Sequence, residues 1–394
     1  MALAAAAPAA GLKRIAVVCA AGEPLHLLRR SLLPEIAGRR HRILVVAPEF
    51  TAADIHALDG MDAERAVFAG HDSGFKLLAD WKAIGALRTI LTGWAPHTVF
   101  GCGAKPMIYA ALAARGAGAE RVVLLADTLP EHRFTGSLAA DEMPAWRYSQ
   151  AMRAADEAIF CNRDDLGLLK RLGIVPSGLR TAVVPGAGID MQTNGAIALP
   201  PLDDGLVFLM VAELDRRRGV IEYCEVARDL RERAPHCRFL LAGSPVEGSL
   251  GLAAEDILAY APAVEYLGPV QDIRALLALS HVFVYPSHGE GMPQPVLEAM
   301  AAGRPIVTTD VAGCRETVDD RVNGCFAEPR DARSLAAAME SFLKRPDLIP
   351  SIARASRAKA ERFCSIDTVN RSLLTALALT SAPSRLSCGD RACS

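Results

Sequence analysis

Short apolar runs alternate with amphipathic stretches along most of this chain. Helical periodicity separates these runs, as between residues 221 and 233. After Pro329 the pattern is helical as far as about Leu379. Such an alternation of strands and helices predicts an α/β fold with parallel sheets. The apolar runs predicted to be strands are 13–21, 42–47, 66–69, the start of 98–110, 121–127, 157–162, 206–212, 238–242, 281–285 and the segment from residue 306.

The stretch 281–325 carries most of the functional information. Its first strand ends at Pro286, and the polar loop 288–291 follows, with a glycine on each side of Glu290. Helix signals begin after Pro293 and stop at Gly303. The loop is therefore predicted at the carboxyl end of a strand, where open α/β sheets bind ligands.

Two carboxylates stand in this stretch, Glu290 in the loop and Glu298 in the helix, with seven residues between them. A carboxylate accepts hydrogen bonds from two hydroxyls at once, and a helix start offers main-chain N–H groups to an anion. We therefore expect a sugar at Glu290, a ribose at Glu298 and a diphosphate on Gly291 and Met292. The alternative is that both glutamates are ordinary loop and helix-surface residues, since glutamate is common in helices.

The same stretch resembles the nucleotide-sugar-binding half of retaining glycosyltransferases with the GT-B fold, family 4. Their E-x7-E signature matches Glu290 and Glu298, and the segments 287–318 and 322–329 follow the family pattern. The resemblance extends more weakly over nearly the whole chain. It is closest to the branch that extends lipid-linked oligosaccharides and exopolysaccharide repeat units. It implies two Rossmann-like domains that face each other across a cleft, with a last helix that crosses back to the first domain.

The resemblance also implies roles for individual residues. Gly22, in the turn after the first strand, matches a turn beside the donor phosphates, although an ordinary βα turn is an equal alternative. Asp127 stands at a strand end that lies near the reacting carbon in relatives, with His132 just beyond it, and caps or turns often use such residues. Lys105 is a candidate for an acceptor phosphate, or else a surface lysine near a helix cap. Val270 is expected beside the nucleobase.

The segment 213–219 departs from the family pattern, which is Gly–Arg–Leu, three variable residues, then Lys–Gly. Arg218 stands at the lysine position and keeps the positive charge, but Glu213 stands where the arginine is expected. Relatives use the two cations to clamp the donor diphosphate. Three outcomes remain open: Arg216 or Arg217 substitutes, Glu213 turns away, or donor binding is impaired. The donor site predicted from the sequence is Arg218, Arg217, Gly291, Met292, Pro293, Glu298, Val270 and Gly22.

Length and composition indicate the number of domains and exclude some classes of protein. A chain of 394 residues is expected to form two domains. We assign an acceptor-binding domain to 1–195 (with a flexible tail at 1–12), a nucleotide-sugar-binding domain to 196–380 and a polar tail to 381–394. The polar, proline-rich piece 191–205 is the expected linker and hinge. A hydrophobic content of 51% excludes disorder, and a net charge of −2 argues against nucleic acid as a partner.

Ten scattered cysteines without a C-x2-C pair indicate free thiols in a reducing cytoplasm and no metal site. No apolar run is long enough to span a bilayer. A predicted helix near 26–37 carries an apolar stripe flanked by Arg29, Arg30, Arg39 and Arg40. Such a stripe usually packs on the sheet, but with basic neighbours it can also dock on an anionic membrane. We therefore expect a cytoplasmic protein, with peripheral contact at the inner face of the membrane as the second possibility.

Together these observations predict an enzyme that moves a hexose or an N-acetylhexosamine from a nucleotide diphosphate sugar to a saccharide, expected to be lipid-linked. The family retains anomeric configuration, and the chemistry needs no metal. Catalytic roles fall to Glu290, Asp127 and His132. One alternative is a glycosyltransferase-like binding subunit with little catalysis, motivated by Glu213. Another is a sugar-nucleotide 2-epimerase, which shares the fold.

Overall fold

The computed structural model describes residues 12–20, 28, 30–68, 77–126, 145–186, 188–289 and 291–380. Within them the chain forms two parallel β-sheets, each with helices on its faces. The α/β architecture predicted from the alternation of apolar runs and helices is therefore confirmed. We call the two parts the first unit and the second unit.

The first sheet has seven parallel strands in the order β3-β2-β1-β4-β5-β6-β7. Most of them are continuous apolar runs, because helices cover both faces of a parallel sheet. The order reverses between β1 and β4, which makes that point the switch point of the sheet. The strands are β1 Arg14–Cys19, β2 Arg42–Ala47, β3 Glu64–Val67, β4 Thr98–Cys102, β5 Arg121–Ala126, β6 Glu157–Phe160 and β7 Arg180–Val183.

The second sheet has six parallel strands in the order β10-β9-β8-β11-β12-β13. Its switch point lies between β8 and β11, which pair directly through Val282 with Phe208 and Phe283 with Leu209. The strands are β8 Val207–Val211, β9 Arg238–Ala242, β10 Glu265–Tyr266, β11 Val282–Tyr285, β12 Ile306–Thr309 and β13 Gly324–Ala327.

The helices lie between the strands, and several begin with a side-chain cap of the kind that satisfies first-turn N–H groups. None within the described ranges is both long and apolar enough to cross a membrane. The helices are α1 Leu32–Gly38, α2 Ala52–Gly60, α3 Leu77–Trp94, α4 Ala104–Gly116, α5 Ala145–Ala154, α6 Arg163–Arg171, α7 Val220–Arg233, α8 Ala254–Leu258, α9 Arg274–Leu279, α10 Gln294–Ala301, α11 Cys314–Thr317, α12 Ala332–Lys344, α13 Ile349–Phe363 and α14 Ile366–Ala376.

The last helix, α14, returns to the first unit as predicted. Its residues Val369, Leu373 and Leu374 are buried in the same apolar cluster as Ile15 and Val17 of β1. The chain therefore crosses between the units twice. The two crossings lie side by side: the N–H of Ile189 donates to the carbonyl of Cys364 (2.7 Å), and the N–H of Ile366 donates to the carbonyl of Ile189 (2.9 Å).

The segment expected to be a linker and hinge is held against the second unit over much of its length. Arg304 is fully buried and donates to the carbonyls of Ile197 (2.9 Å) and Ala198 (2.9 Å). His281 accepts from the N–H of Val207 through Nδ1 (3.0 Å), which leaves Nε2 to donate to the carbonyl of Pro201 (3.1 Å). These buried contacts make 197–201 part of the second unit rather than a free hinge.

Candidate functional site

Three loops meet at the carboxyl ends of β8, β11 and β12, on the two sides of the second switch point. They are residues 212–219, the described residues 286–289 and 291–293, and residues 310–313. Parallel strands all end at the same edge of a sheet, so the loops that follow them share one surface. The predicted E-x7-E stretch and the predicted cationic segment are therefore neighbours in the fold, although about 70 residues separate them in the sequence.

The cationic segment is a single 3-10 turn, Arg216–Arg218, that ends at Gly219. Gly219 has a φ of 75°, and a Cβ added there would lie 2.0 Å from the carbonyl oxygen of Pro286. A residue with a side chain would meet both backbone strain and a collision at this point. Glycine at 219 thus lets the turn lie directly against the end of β11.

The loop after β11 is fastened to this turn by several hydrogen bonds. The main-chain N–H of His288 donates to the carbonyl of Arg217 (2.8 Å), and the Ser287 hydroxyl reaches the same carbonyl (3.4 Å). The imidazole Nε2 of His288 lies 2.8 Å from a carboxylate oxygen of Glu222 in the first turn of α7. The Thr309 hydroxyl also donates to the carbonyl of Ser287. The backbone that leads to the predicted sugar and diphosphate positions is therefore held from three directions.

Arg217 is engaged by a neighbouring carboxylate. Its guanidinium donates to Asp215 through Nη2 (2.6 Å) and through Nε (3.1 and 3.2 Å), and its main-chain N–H donates to the same carboxylate (2.8 Å). The hydrogen bond from Arg217 lowers the pKa of Asp215, and the same contact raises the pKa of Arg217. Arg217 therefore shapes the turn, and its guanidinium shares its charge with a buried carboxylate.

Arg218 faces Glu213, the residue that departs from the family pattern. Nη2 of Arg218 lies 3.5 Å from a carboxylate oxygen of Glu213, whose side chain is 64% exposed. This distance is longer than that of a strong charge-assisted hydrogen bond, and exposed ion pairs are weak. The three possibilities left open by the sequence concern the bound donor and stay predictions. Glu213 lies beside the cation at the lysine position.

The start of α10 combines the predicted diphosphate position with contacts to the first unit. Pro293 is the N-cap residue, and its side chain makes no cap hydrogen bond. The carbonyl of Gly291 accepts from the side-chain amide of Asn162 (3.0 Å) in the first unit. Met292 packs against Gly186, since a Cβ added at Gly186 would lie 3.4 Å from Met292 Cγ. Gly291 and Met292 thus lie where the two units touch.

Glu298 lies within α10 and is half-buried. Val270 follows β10, so it lies at the same edge of the sheet as the cationic turn. Its side chain is partly buried against the apolar core of the second unit. Lys105 lies in the first turn of α4, directly after β4 at the first switch point. Its side chain is buried rather than exposed at the surface, which contradicts the alternative of a surface lysine. Lys105 thus lies at a helix start and Val270 after a strand end, whereas Glu298 lies in the second turn of α10. Their roles as ligand contacts stay predictions.

Several predicted residues lie outside the described part of the chain: Gly22, Arg29, Asp127, His132 and Glu290. Their roles stay predictions. Of the other arginines proposed to contact a membrane, Arg30 and Arg40 are exposed and Arg39 forms an ion pair with Glu35 (3.5 Å). The apolar stripe beside them packs in the first core through Leu28, Leu32, Leu33 and Ile36.

Two contributors to the site were not found from the sequence. One is Asn162, which caps α6 through the N–H of Asp165 (2.8 Å) and also binds Gly291. An asparagine directly before a helical pattern is a cap signal, and it could have been given more weight. The other is the pair His288 and Glu222, whose partners are 66 residues apart and carry no local signal.

Comparison with known proteins agrees with this geometry. Residues 205–345 match the profile of the family described as "Glycosyl transferases group 1". The chain is 28% identical over 227 residues to the N,N'-diacetylbacillosaminyl-diphospho-undecaprenol alpha-1,3-N-acetylgalactosaminyltransferase of Campylobacter jejuni, with 55% of this chain and 58% of that protein covered. It is 24% identical over 359 residues to the alpha-D-kanosaminyltransferase of Streptomyces kanamyceticus, with 82% and 91% covered.

Solved structures share the fold. Anabaena HepE in complex with UDP superposes with a TM-score of 0.73 at 17% identity, covering 94% of this chain and all of that one. Sucrose-phosphate synthase from Thermosynechococcus elongatus superposes with a TM-score of 0.71 at 16% identity, covering 92% and 98%. These neighbours are GT-B enzymes, so the two Rossmann-like units expected from the sequence are confirmed as a GT-B fold. The chain spans about 58% of the length of several curated relatives that it matches.

Proposed function

Because residues 205–345 form a group 1 glycosyltransferase domain within a GT-B fold, we propose that this chain is a glycosyltransferase of polysaccharide or glycan biosynthesis. Its donor is a nucleotide diphosphate sugar, and the sugar passes to a saccharide acceptor. The observation that carries the proposal is the meeting of the Arg216–Arg218 turn and the 286–293 loop at the second switch point. A fixed cation beside a helix start is suited to a diphosphate.

Each part of the donor has a proposed partner. Arg218 and the main chain at Gly291–Pro293 hold the diphosphate, with Arg217 as a second cation near it. Glu298 binds the ribose hydroxyls, and the main chain at Val270 lies beside the base. Gly22 borders the phosphates from the first unit, and Glu290 binds the hydroxyls of the transferred sugar. UDP is bound by the structural neighbour HepE, which supports a nucleoside diphosphate as the ligand class.

The proposed reaction retains the configuration of the anomeric carbon. The bond from that carbon to the diphosphate oxygen breaks, and an acceptor hydroxyl oxygen bonds to the same face of the sugar. The acceptor proton passes to the leaving diphosphate, so that charge and protons balance. The protein positions both substrates and stabilises the departing anion. Without a covalent intermediate, these two effects supply most of the lowering of the activation barrier. Asp127 and His132 are proposed to act near the reacting carbon, and no metal is required.

The acceptor is proposed to be a lipid-linked saccharide. The Campylobacter relative named above acts on an undecaprenol diphosphate intermediate, according to its name. Lys105, buried at the first switch point, is the proposed contact for an acceptor phosphate. A lysine ammonium is a compact positive charge that can bind a phosphate.

Calorimetric titration with UDP, GDP, ADP and TDP tests this proposal. We expect one nucleotide to bind with micromolar affinity and Glu298→Ala to weaken it about tenfold or more, because a carboxylate bound to two hydroxyls contributes about 1.5–3 kcal/mol. Glu232→Ala, at an exposed position in α7, is the matched control and should bind as the parent does. A folded protein that binds none of the four nucleotides would contradict the proposal.

A glycosyltransferase-like binding subunit is the second candidate, since the Arg218–Glu213 pair places a negative charge beside the diphosphate position. The two candidates differ in turnover. Incubation with the nucleotide sugar whose nucleotide binds and with a panel of polyprenyl-linked saccharides should yield free nucleoside diphosphate and a longer glycan. Binding of the nucleotide without release of product on any acceptor would favour the binding subunit. Conversion of the nucleotide sugar without an acceptor would favour an epimerase.

A further inference from the structure

The chain contains three tryptophans, at 81, 94 and 146. Trp94 is buried, whereas Trp81 is 56% exposed and Trp146 is 47% exposed. Leu78, one turn before Trp81 in α3, is 79% exposed. Exposed tryptophans are uncommon because a large apolar ring gains much from burial. We call Leu78, Trp81 and Trp146 the tryptophan patch.

The two exposed rings lie on different helices but form one surface. The guanidinium carbon of Arg147 lies 4.9 Å from the ring centre of Trp81 and 4.4 Å from that of Trp146. Arg147 itself is 1% exposed, and both rings lie against it. A cation between two aromatic faces is attracted by both, and it keeps the rings close together. The patch is therefore continuous across α3 and α5.

The patch is also held from beneath. Asp80, next to Trp81, is buried and accepts a hydrogen bond from the hydroxyl of Tyr109 in α4. The ring of Tyr109 packs edge-on against Phe68 (6.2 Å between centres). A surface that is fixed before it binds loses little conformational freedom on binding. The exposed rings thus form a surface whose conformation is already fixed before a partner binds.

Within α3 and α5, the exposed charged side chains have one sign. Helices α3 and α5 carry three exposed ionic side chains, Lys82, Arg88 and Arg153, and all three are basic. Asp80, the one acidic residue of these two helices, is buried. Tryptophan is enriched at membrane–water interfaces, where its ring lies at the level of the headgroups, and basic residues add attraction to anionic lipids.

We propose that the tryptophan patch docks this protein on an anionic lipid bilayer. Trp81, Trp146 and Leu78 enter the headgroup region, and Lys82, Arg88 and Arg153 face the lipid phosphates. This surface differs from the arginine-flanked helix identified in the sequence, because the apolar stripe of that helix is buried in the first core. The proposal does not depend on donor binding, although a docked first unit would bring the acceptor domain to a lipid-linked substrate.

Tryptophan fluorescence tests the proposal directly, since two of the three tryptophans lie in the patch. We expect vesicles rich in phosphatidylglycerol to shift the emission to shorter wavelength, and lipids brominated along the acyl chain to quench it. Vesicles of phosphatidylcholine alone should bind at least tenfold more weakly, because each basic residue near an anionic surface contributes about fivefold. Equal binding to both vesicles, or no binding to either, would overturn the proposal.

Variants locate the contact by vesicle co-sedimentation. Trp81→Ser combined with Trp146→Ser should weaken binding to phosphatidylglycerol vesicles about tenfold or more. Leu78→Ser provides a milder test that leaves Arg147 covered, with an expected loss of about threefold. The matched control is Leu258→Ser with Leu279→Ser, two exposed leucines of the second unit, which should bind as the parent does.

Folding and donor binding are checked separately. Each variant should keep the circular dichroism and the nucleotide affinity of the parent, so that lost vesicle binding is not mistaken for lost structure. If the parent binds vesicles but no nucleotide, the patch proposal stands and the proposed function fails. If the patch variants bind vesicles as tightly as the parent, the patch proposal fails whatever the nucleotide result. A surface that binds a protein partner instead would also give that second result.

Discussion

Arg304 differs from Arg217 and Arg218 in what its side chain binds, although all three arginines lie in the second unit. Arg304 is fully buried and donates to five main-chain carbonyls, those of Leu277, Ile197, Ala198, Ala302 and Gly303. Burial lowers its pKa to about 10. Arg217 and Arg218 lie at a strand end, and their described partners include the carboxylates of Asp215 and Glu213.

The difference separates a structural role from a ligand-binding role. An arginine whose donors are taken by buried carbonyls cannot turn to a ligand without leaving those carbonyls unpaired. Arg218 faces an exposed carboxylate and can exchange that anion for a phosphate at little cost, because water screens the pair. Arg217 is held by the buried carboxylate of Asp215, so it is less free to turn to a ligand. The type of acceptor and its burial are therefore better guides to function than the number of arginines.

The largest expected effect follows from removing the buried cation. Arg304→Met should lower the free energy of unfolding by about 3 kcal/mol or more, since buried carbonyls lose their donor. Urea unfolding measures this change. Arg321→Met is the control, with a side chain that is 89% exposed, and should change stability by less than about 0.5 kcal/mol. If both substitutions changed the free energy of unfolding equally, the distinction between a structural and a ligand-binding arginine would be wrong.

A second prediction concerns how closely the cationic turn lies against β11. Gly219→Ala should destabilise the protein by about 2–3 kcal/mol, because the new Cβ meets the carbonyl of Pro286 at a positive φ. Gly118→Ala separates the two causes. Gly118 also has a positive φ (77°) but has open space around it, so about 1 kcal/mol is expected there. Thermal or urea unfolding that gives the same loss for both would mean that the close approach is relieved by movement of the turn.

The smallest effect on stability should come from the exposed pair at the site. Glu213→Gln should change the free energy of unfolding by less than about 0.5 kcal/mol, as expected for an exposed ion pair. It should nevertheless strengthen nucleoside diphosphate binding about threefold to tenfold, because it removes a negative charge beside the diphosphate. Unfolding and titration of the same variant test both statements. Weaker binding would show that Glu213 assists the donor.

Much of the fold followed from the sequence because central strands are continuous apolar runs. The strands Arg42–Ala47 and Arg238–Ala242 have the predicted bounds. The strands Arg180–Val183 and Glu265–Tyr266 were missed, since they lie at sheet edges and are half-buried, with polar residues and no clear periodicity. The edge strand Gly324–Ala327 was missed as well, because it is four residues long and begins with glycine. The helical pattern predicted from Pro329 to about Leu379 is confirmed. It is three helices, separated at Arg345 and Cys364.

The places of the two candidate segments at strand ends were predictable from the sequence, but the contacts that their side chains make were not. The E-x7-E pattern and the cationic segment indicated which strand ends matter, because strand ends and helix starts have local signals. The ion pair between Arg218 and Glu213 depends on how the 213–219 loop folds, which spacing does not determine. The carbonyls bound by Arg304 include two that lie 106 and 107 residues away in the sequence. Contacts of that kind follow from the tertiary fold alone.

Titration of the nucleoside diphosphate against Arg218→Met is the most direct test of the central claim, that the cationic turn beside β11 binds the donor diphosphate. We expect the affinity to fall about tenfold or more, since a charge-assisted contact to a phosphate contributes about 1.5–3 kcal/mol, with unfolding unchanged within about 0.5 kcal/mol. Arg345→Met, at an exposed ion pair with Asp347, should leave the affinity unchanged. An Arg218→Met protein that binds the nucleotide as tightly as the parent would contradict the account.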